Sequence, residues 1–221
     1  LPGPTDASND SVDGLMTIDA TPPTLAVNIV DVSLSDEDNS SSVTFTFSEA
    51  VTGFTADDVT VARGTLSDFA GSGSSYSATF TGDDGVDAAG SVSVAAGSYT
   101  DVAGNPGGAV ADTVAIDTLN PTLAVLSPAD GSLGVPRDTH LVVTWNEAIR
   151  KGTGTIVVRN LDDGSAVQTI DVSSSAVTVD GPTATIDLAG LLASSANFYV
   201  EVAAGAFEDL AGNDFAGISG P

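Results

Sequence analysis

Eight oxygen-bearing side chains recur in step along this 221-residue chain. Asp19, Glu49, Asp101 and Asn105 form a first set; Asp117, Glu147, Asp209 and Asn213 form a second. The first two members repeat 98 positions apart (19 to 117, 49 to 147) and the last two 108 apart (101 to 209, 105 to 213). Carboxylates and amides are hard oxygen donors, and calcium takes about six to eight such oxygens. A fold that gathers each set at one place therefore makes two calcium cages. The same Asp and Asn also favour turns by bonding their own backbone, so a purely local role stands beside the metal reading. Two further acidic clusters, Asp36-Glu-Asp-Asn39 and Asp83-Asp84-Gly-Val-Asp87, are placed to complete a cage at a domain junction, or to be solvated loops.

The text around these residues repeats as well. Asp19-Ala-Thr-Pro-Pro-Thr-Leu-Ala-Val27 returns as Asp117-Thr-Leu-Asn-Pro-Thr-Leu-Ala-Val125, and Phe47-Ser-Glu-Ala-Val51 as Trp145-Asn-Glu-Ala-Ile149. Ala95-Ala-Gly-Ser-Tyr-Thr-Asp-Val-Ala-Gly-Asn105 returns as Ala203-Ala-Gly-Ala-Phe-Glu-Asp-Leu-Ala-Gly-Asn213. The chain thus holds two copies of one unit, and the change of offset places ten extra residues inside the second. Stacked modules span distance, which catalysis does not need.

Composition removes several function classes. Five Lys and Arg face 30 Asp and Glu, for a net charge of −25. Nucleic acid and anionic membranes call for a basic surface and are excluded as partners. Cysteine is absent and His140 is the single histidine, so disulfides, thiol nucleophiles and multi-His metal sites are excluded. No phosphate-binding glycine loop opens a helix. Apolar residues make up 42%, enough for packed cores despite the acidity. No stretch has the length of an apolar membrane helix, and none reads as a signal peptide, so the chain is read as a mature form or an excised fragment.

The elements that must position the acids are strands. Val43-Thr-Phe-Thr-Phe47, Tyr76-Ser-Ala-Thr-Phe80, Leu141-Val-Val-Thr-Trp145 and Phe198-Tyr-Val-Glu-Val202 alternate with period 2, and helical periodicity is confined to one turn at 188–195. In the first unit strands A to G are expected at 24–32, 42–48, 57–62, 65–70, 75–81, 91–96 and 110–117. In the second, A to F are expected at 122–127, 139–145, 154–160, 166–173, 182–188 and 197–203, with an extra ribbon at 175–180. Seven such strands in Greek-key order make an immunoglobulin-type β-sandwich. In that sandwich the start of A, the B–C loop and the F–G loop share one pole, which is where each acidic set falls. Trp145 stands at the position of Phe47 and is read as core, and Arg150-Lys151 as a solvated turn.

The first unit, with Phe54-Thr-Ala-Asp-Asp-Val-Thr-Val61, Gly64-Thr-Leu-Ser67 and Asp101-Val-Ala-Gly-Asn105, resembles the bacterial Ig-like repeats of large secreted adhesins. The second, with Ser127-Pro-Ala-Asp-Gly-Ser-Leu-Gly-Val-Pro136, Gly152-Thr-Gly-Thr-Ile156 and Phe207-Glu-Asp-Leu-Ala-Gly-Asn213, resembles the S-layer-type Ig-like domain. The resemblance covers residues 19–221. It implies stalks, spacers and filament modules on bacterial cell surfaces, many of which bind calcium.

The expected organisation is all-β: two tandem Ig-like sandwiches at 20–118 and 119–221, behind an extension at 1–19. The second unit departs from the pattern because only Asp214 to Pro221 follow its last motif, so it lacks its final strand. The extension supplies the reverse. Ser11-Val-Asp-Gly-Leu-Met-Thr-Ile-Asp19 precedes Thr21-Pro-Pro-Thr24 just as Ala111-Asp-Thr-Val-Ala-Ile-Asp117 precedes Asn120-Pro121-Thr122. Leu15, Met16 and Ile18 mark it as an assembly strand for a neighbouring copy, joined head to tail; the alternatives are a disordered leader, and a fragment of a longer repeat array in which the next residues of the same chain supply the missing strand. The functional expectation is a non-enzymatic, extracellular structural module of a surface stalk, adhesin or filament, rigidified by Ca2+. The alternatives are an adhesin domain that binds a surface glycan or protein, and an accessory domain of a secreted hydrolase.

Overall fold

The computed structural model describes residues 18–221. Ten strands build the first unit. They are β1 (Leu25–Ile29), β2 (Ser33–Leu34), β3 (Ser40–Phe47), β4 (Val51–Thr52), β5 (Val59–Ala62), β6 (Gly64–Ser72), β7 (Ser75–Gly82), β8 (Asp87–Val94), β9 (Thr100–Asp101) and β10 (Val110–Asp117). Nine build the second: β11 (Leu123–Ser127), β12 (Leu141–Trp145), β13 (Ile149–Lys151), β14 (Thr155–Asn160), β15 (Ala166–Asp171), β16 (Val177–Asp180), β17 (Thr183–Ile186), β18 (Phe198–Val202) and β19 (Phe207–Asp209).

In the first unit a sheet of order β1-β3-β7-β6 faces one of order β2-β10-β8-β5. The pleat dictates what lies between them. In β3, Val43, Phe45 and Phe47 point inward and Thr44 and Thr46 outward. Opposite them stand Val92 and Val94 of β8 and Val114 and Ile116 of β10, all buried. Phe47, Phe54, Phe69, Tyr76 and Tyr99 meet edge to face or stacked around this core, with ring centroids 4.9–6.1 Å apart.

The second unit pairs β11-β12-β17-β16 in one sheet and β15-β14-β18 in the other. Two expectations change here. The strand expected as D, now β15, pairs with β14 and belongs to the opposite sheet. The ribbon, now β16, pairs with β17 and occupies the place that β6 holds in the first unit. The ten extra residues thus add a strand beside β14. Arg150 and Lys151 lie in strand β13 rather than in a turn, and 188–195 forms no helix. In the first unit β8 starts at Asp87, four residues before the expected 91.

No strand among the described residues follows β19. The tail instead folds back over the core. The Phe215 N–H donates to the Phe207 carbonyl, and Ile218 exchanges both backbone bonds with Val202, at 2.9 Å each. The Phe215 ring is buried against Trp145, which also stacks on Phe207. In the first unit Gly107 takes the place of Phe215, because the Tyr99 ring fills that space and its hydroxyl donates to the Gly108 carbonyl at 3.2 Å.

A β-carbon on Gly107 would lie 2.0 Å from that caged ring, whereas one on Gly108 meets nothing within 4 Å. Gly107→Ala is expected to cost the first domain about 1–3 kcal/mol through overpacking, and Gly108→Ala to be near neutral. Urea unfolding midpoints check both.

Candidate metal centre

Each acidic set is held by a two-stranded ribbon. In the first unit β4 pairs with β9 so that Val51 stands opposite Asp101; in the second β13 pairs with β19 so that Ile149 stands opposite Asp209. Val51 and Ile149 are buried and pin the ribbon to the core. The glutamate lies two residues earlier, at Glu49 or Glu147. Tyr99 and Phe207, two residues before the aspartates, are buried and anchor the other strand.

The aspartate then folds its own turn. Asp209 Oδ1 accepts the N–H groups of Gly212 (2.7 Å) and Asn213 (2.9 Å), and Oδ2 accepts Asn213 Nδ2 at 2.7 Å. Asp101 is bound in the same way by the N–H of Asn105 (2.8 Å) and its Nδ2 (2.7 Å). Gly104 and Gly212 adopt φ of 92° and 101°, a region that side chains rarely enter. Each asparagine also reaches the backbone that enters its domain. Asn105 Nδ2 donates to the Asp19 carbonyl (3.2 Å) and Asn213 Nδ2 to the Asp117 carbonyl (2.9 Å). Both local bonding and convergence are therefore realised at once.

The result is two carboxylate triads, Asp19–Glu49–Asp101 and Asp117–Glu147–Asp209. Within each, one oxygen per residue lies within 4.8 Å of the others. That spacing suits a single ion, since oxygens at about 2.4 Å from calcium are at most about twice that distance apart. Asn105 and Asn213 stand beside the triads as clasps with their amide nitrogens turned toward the carboxylates. Asn213 Oδ1 accepts the Asp36 N–H at 2.9 Å, which crosses from the first unit to the second. Leu15 and Met16 lie outside the described residues; Ile18 is 78% exposed.

The junction triad is strongly one-signed. Burial raises Asp117 above its ordinary 3.8, and Asp209, Asp87 and Asp36 push it further, against a bond from Leu119 N–H. Burial and then Asp209 raise Glu147 above 4.5, with Asp117 and Asp87 adding to it. Burial, Asp84, Asp209 and Asp214 raise Asp36. Asp36, Asp84 and Asp87 come from the two acidic clusters read in the sequence, and they do face the junction. Asp214 escaped notice because its counterpart in the first unit is Pro106. At the other pole burial opposes ionisation of Asp101, but bonds from the Asn105 side chain and from the N–H groups of Asn105, Gly104 and Ala103 outweigh it and lower the pKa. Neither triad includes a nitrogen or sulfur ligand. Oxygen-only sites of net negative charge suit calcium, magnesium or manganese, not zinc.

Residues 19–118 match one family model and residues 117–219 another, each described as a bacterial Ig-like domain. The chain is a tandem of two bacterial Ig-like domains. No curated protein sequence matches it. Among solved structures, an I-band fragment from titin is 14% identical, with a TM-score of 0.42 over 88% of this chain and 63% of that one. The adhesin InvE of Yersinia pseudotuberculosis is 16% identical, with a TM-score of 0.32 over 88% and 57%. The Ig-like tandem thus spans less than two thirds of either. Elsewhere on the Ig-like domains, a few oppositely charged groups pair. Arg150 Nε donates to Glu208 Oε1 at 3.0 Å, and His140 Nδ1 lies 3.2 Å from Asp187 Oδ1.

Three raised carboxylates at the junction set the sign of a pH effect. With no divalent cation, the folded chain keeps protons that the unfolded chain has already released. Stability is therefore highest below the ordinary values and falls as pH rises through the raised ones. In chelator, the melting temperature of the second Ig-like domain should decline as pH rises above the ordinary carboxylate values. Asp36→Asn, which removes one facing charge, should flatten that decline. Scanning calorimetry across pH reads both.

Proposed function

We propose that these Ig-like domains form a non-enzymatic, extracellular spacer in a bacterial surface stalk, adhesin or filament. Calcium at the poles stiffens it, and it joins head to tail with copies of itself or with neighbouring Ig-like repeats. The observation that carries this reading is the position of Asp117–Glu147–Asp209. It lies where one domain passes into the next, with Asp36, Asp84 and Asp87 facing it from the first. Without a cation these carboxylates repel and drive the domains apart. A bound calcium supplies positive charge shared by residues of both, and so ties their orientation. Asp209 and Glu147 hold it from the second domain and Asp117 from the link.

Other observations support a mechanical role. The two best-formed hollows are lined by Pro22, Pro23, Leu25, Tyr99 and Val110, and by Thr60, Ser93, Val94 and Ala111, with no carboxylate, histidine or lysine. Among the described residues the aromatic side chains are buried or half-buried. Among the described residues no helix is long and apolar enough to cross a membrane.

Calcium titration of the full chain tests the reading. At free calcium about 100-fold above Kd, binding should stabilise the fold by about 2.7 kcal/mol, and small-angle scattering should report a narrower spread of interdomain angles. Glu147 accepts only a 3.2 Å bond from Asn146 Nδ2, so Glu147→Gln leaves the turn intact and is expected to weaken calcium binding by about tenfold. Asp57→Asn, at an exposed acid, should change nothing. Identical melting curves and scattering profiles with calcium and with chelator would defeat the calcium reading.

A further inference from the structure

Tyr199 stands apart from the other aromatic residues. Among the described residues it is the one aromatic side chain that packs in neither core. In β18 the side chains of Phe198, Val200 and Val202 turn inward. The pleat therefore sends Tyr199 and Glu201 to the outer face of the sheet β15-β14-β18. On the neighbouring strand Arg159 pairs directly with Tyr199, and Val157 with Glu201. All three polar side chains are half-buried.

Their hydrogen-bonding capacity is only partly used. Arg159 Nε donates to Glu201 Oε2 at 2.6 Å, and Nη1 donates to the Gly164 carbonyl at 3.1 Å. A guanidinium carries five N–H donors, so most remain available. Among the described residues nothing bonds Glu201 Oε1 or the Tyr199 hydroxyl. The ion pair fixes the guanidinium, so the remaining donors and acceptors are positioned before any ligand arrives.

The matching face of the first domain has none of these groups. Ala62 pairs with Ser91 where Arg159 pairs with Tyr199, and Ser93 holds the place of Glu201. The insertion in the second unit builds the rim. Where Arg63 alone joins β5 to β6, the second unit has a hairpin at 161–165 that leads into β15. The hairpin is closed by bonds between Asn160 and Ser165 and between Gly164 and Asn160. It brings Gly164 against Tyr199, so that a β-carbon there would lie 3.9 Å from the hydroxyl.

We propose that Tyr199, Arg159 and Glu201 form a binding subsite for a neutral sugar residue. A pyranose offers an apolar C–H face and a rim of adjacent hydroxyls. The C–H face rests on the Tyr199 ring, which is apolar in body and polar at its tip. One hydroxyl accepts from Arg159 Nη2 and its neighbour donates to Glu201 Oε1, since each hydroxyl can do both. Charge selects a neutral ligand. The Arg159–Glu201 pair is balanced, Asp162 and Asp163 stand in the hairpin, and the chain carries −25, so an anionic sugar is repelled. A single sugar has few atoms, and its Kd is expected at about 1–10 mM. This is a second function, beyond the spacer.

The full chain has three tyrosines, so fluorotyrosine labelling and fluorine NMR give a site-resolved test. Tyr199→Phe removes one signal and assigns it. The probes are the methyl glycosides of glucose, galactose, mannose and N-acetylglucosamine, with N-acetylneuraminic acid as the anion. At least one neutral glycoside should shift the Tyr199 signal saturably and leave Tyr76 and Tyr99, which pack in the first core, unmoved. Arg159→Met and Glu201→Gln should each raise Kd about tenfold. Trp145, the sole tryptophan and 2% exposed, reports by fluorescence that the second domain of each variant is folded. A folded chain whose Tyr199 signal no neutral glycoside moves overturns the proposal. So does a shift shared equally by all three tyrosines, a stronger response to N-acetylneuraminic acid than to every neutral glycoside, or an affinity that both folded variants retain.

Discussion

A buried carboxylate bound by its own turn organises each half of this molecule. Burying a charge is costly unless its oxygens are satisfied. Asp209, 1% exposed, takes two N–H groups and an amide, and Asp101, 2% exposed, is served in the same way. The asparagine that completes each clasp also donates to the carbonyl of the acid that enters its domain, Asp19 or Asp117. One residue pair thus closes a turn, aims a second carboxylate and fixes the entry of the chain. The triads are consequences of that geometry, because Glu49 and Glu147 ride on the ribbon that the aspartate terminates.

The two copies diverge where their surroundings differ. The first wraps a cluster of phenylalanine and tyrosine rings and closes with β10. The second adds β15 on one side and draws Phe215 over Trp145 to shield part of its core. The tail takes one bridge of the pairing that β10 makes in full.

Most of the fold was legible because period-2 alternation is a direct print of a half-buried sheet: Val43, Phe45 and Phe47 could face only one way. Alternation does not name a strand's neighbour, so it left open that β15 pairs with β14. The start of β8 was obscured because Asp87-Ala-Ala-Gly-Ser has few strand formers and is held by backbone pairing with β10. At the poles, repetition located the acids, since recurrence in distant segments marks a shared place. It could not tell which way an amide turns, so Asn105 and Asn213 read as ligands where the structure places them as clasps. Repetition also hid Asp214, whose partner in the first copy carries no charge.

The parallel pairing of β2 with β10, through Ser33–Leu34 and Ala115–Ile116, has a mechanical meaning. In a tethered stalk, tension enters the first domain near Asp19 and leaves near Asp117. It draws β2 and β10 in opposite directions along their length, so their bonds are loaded together in shear rather than peeled one at a time. The second domain has no such clamp among its described strands. Such a clamp holds the length of the first domain until its bonds yield as one.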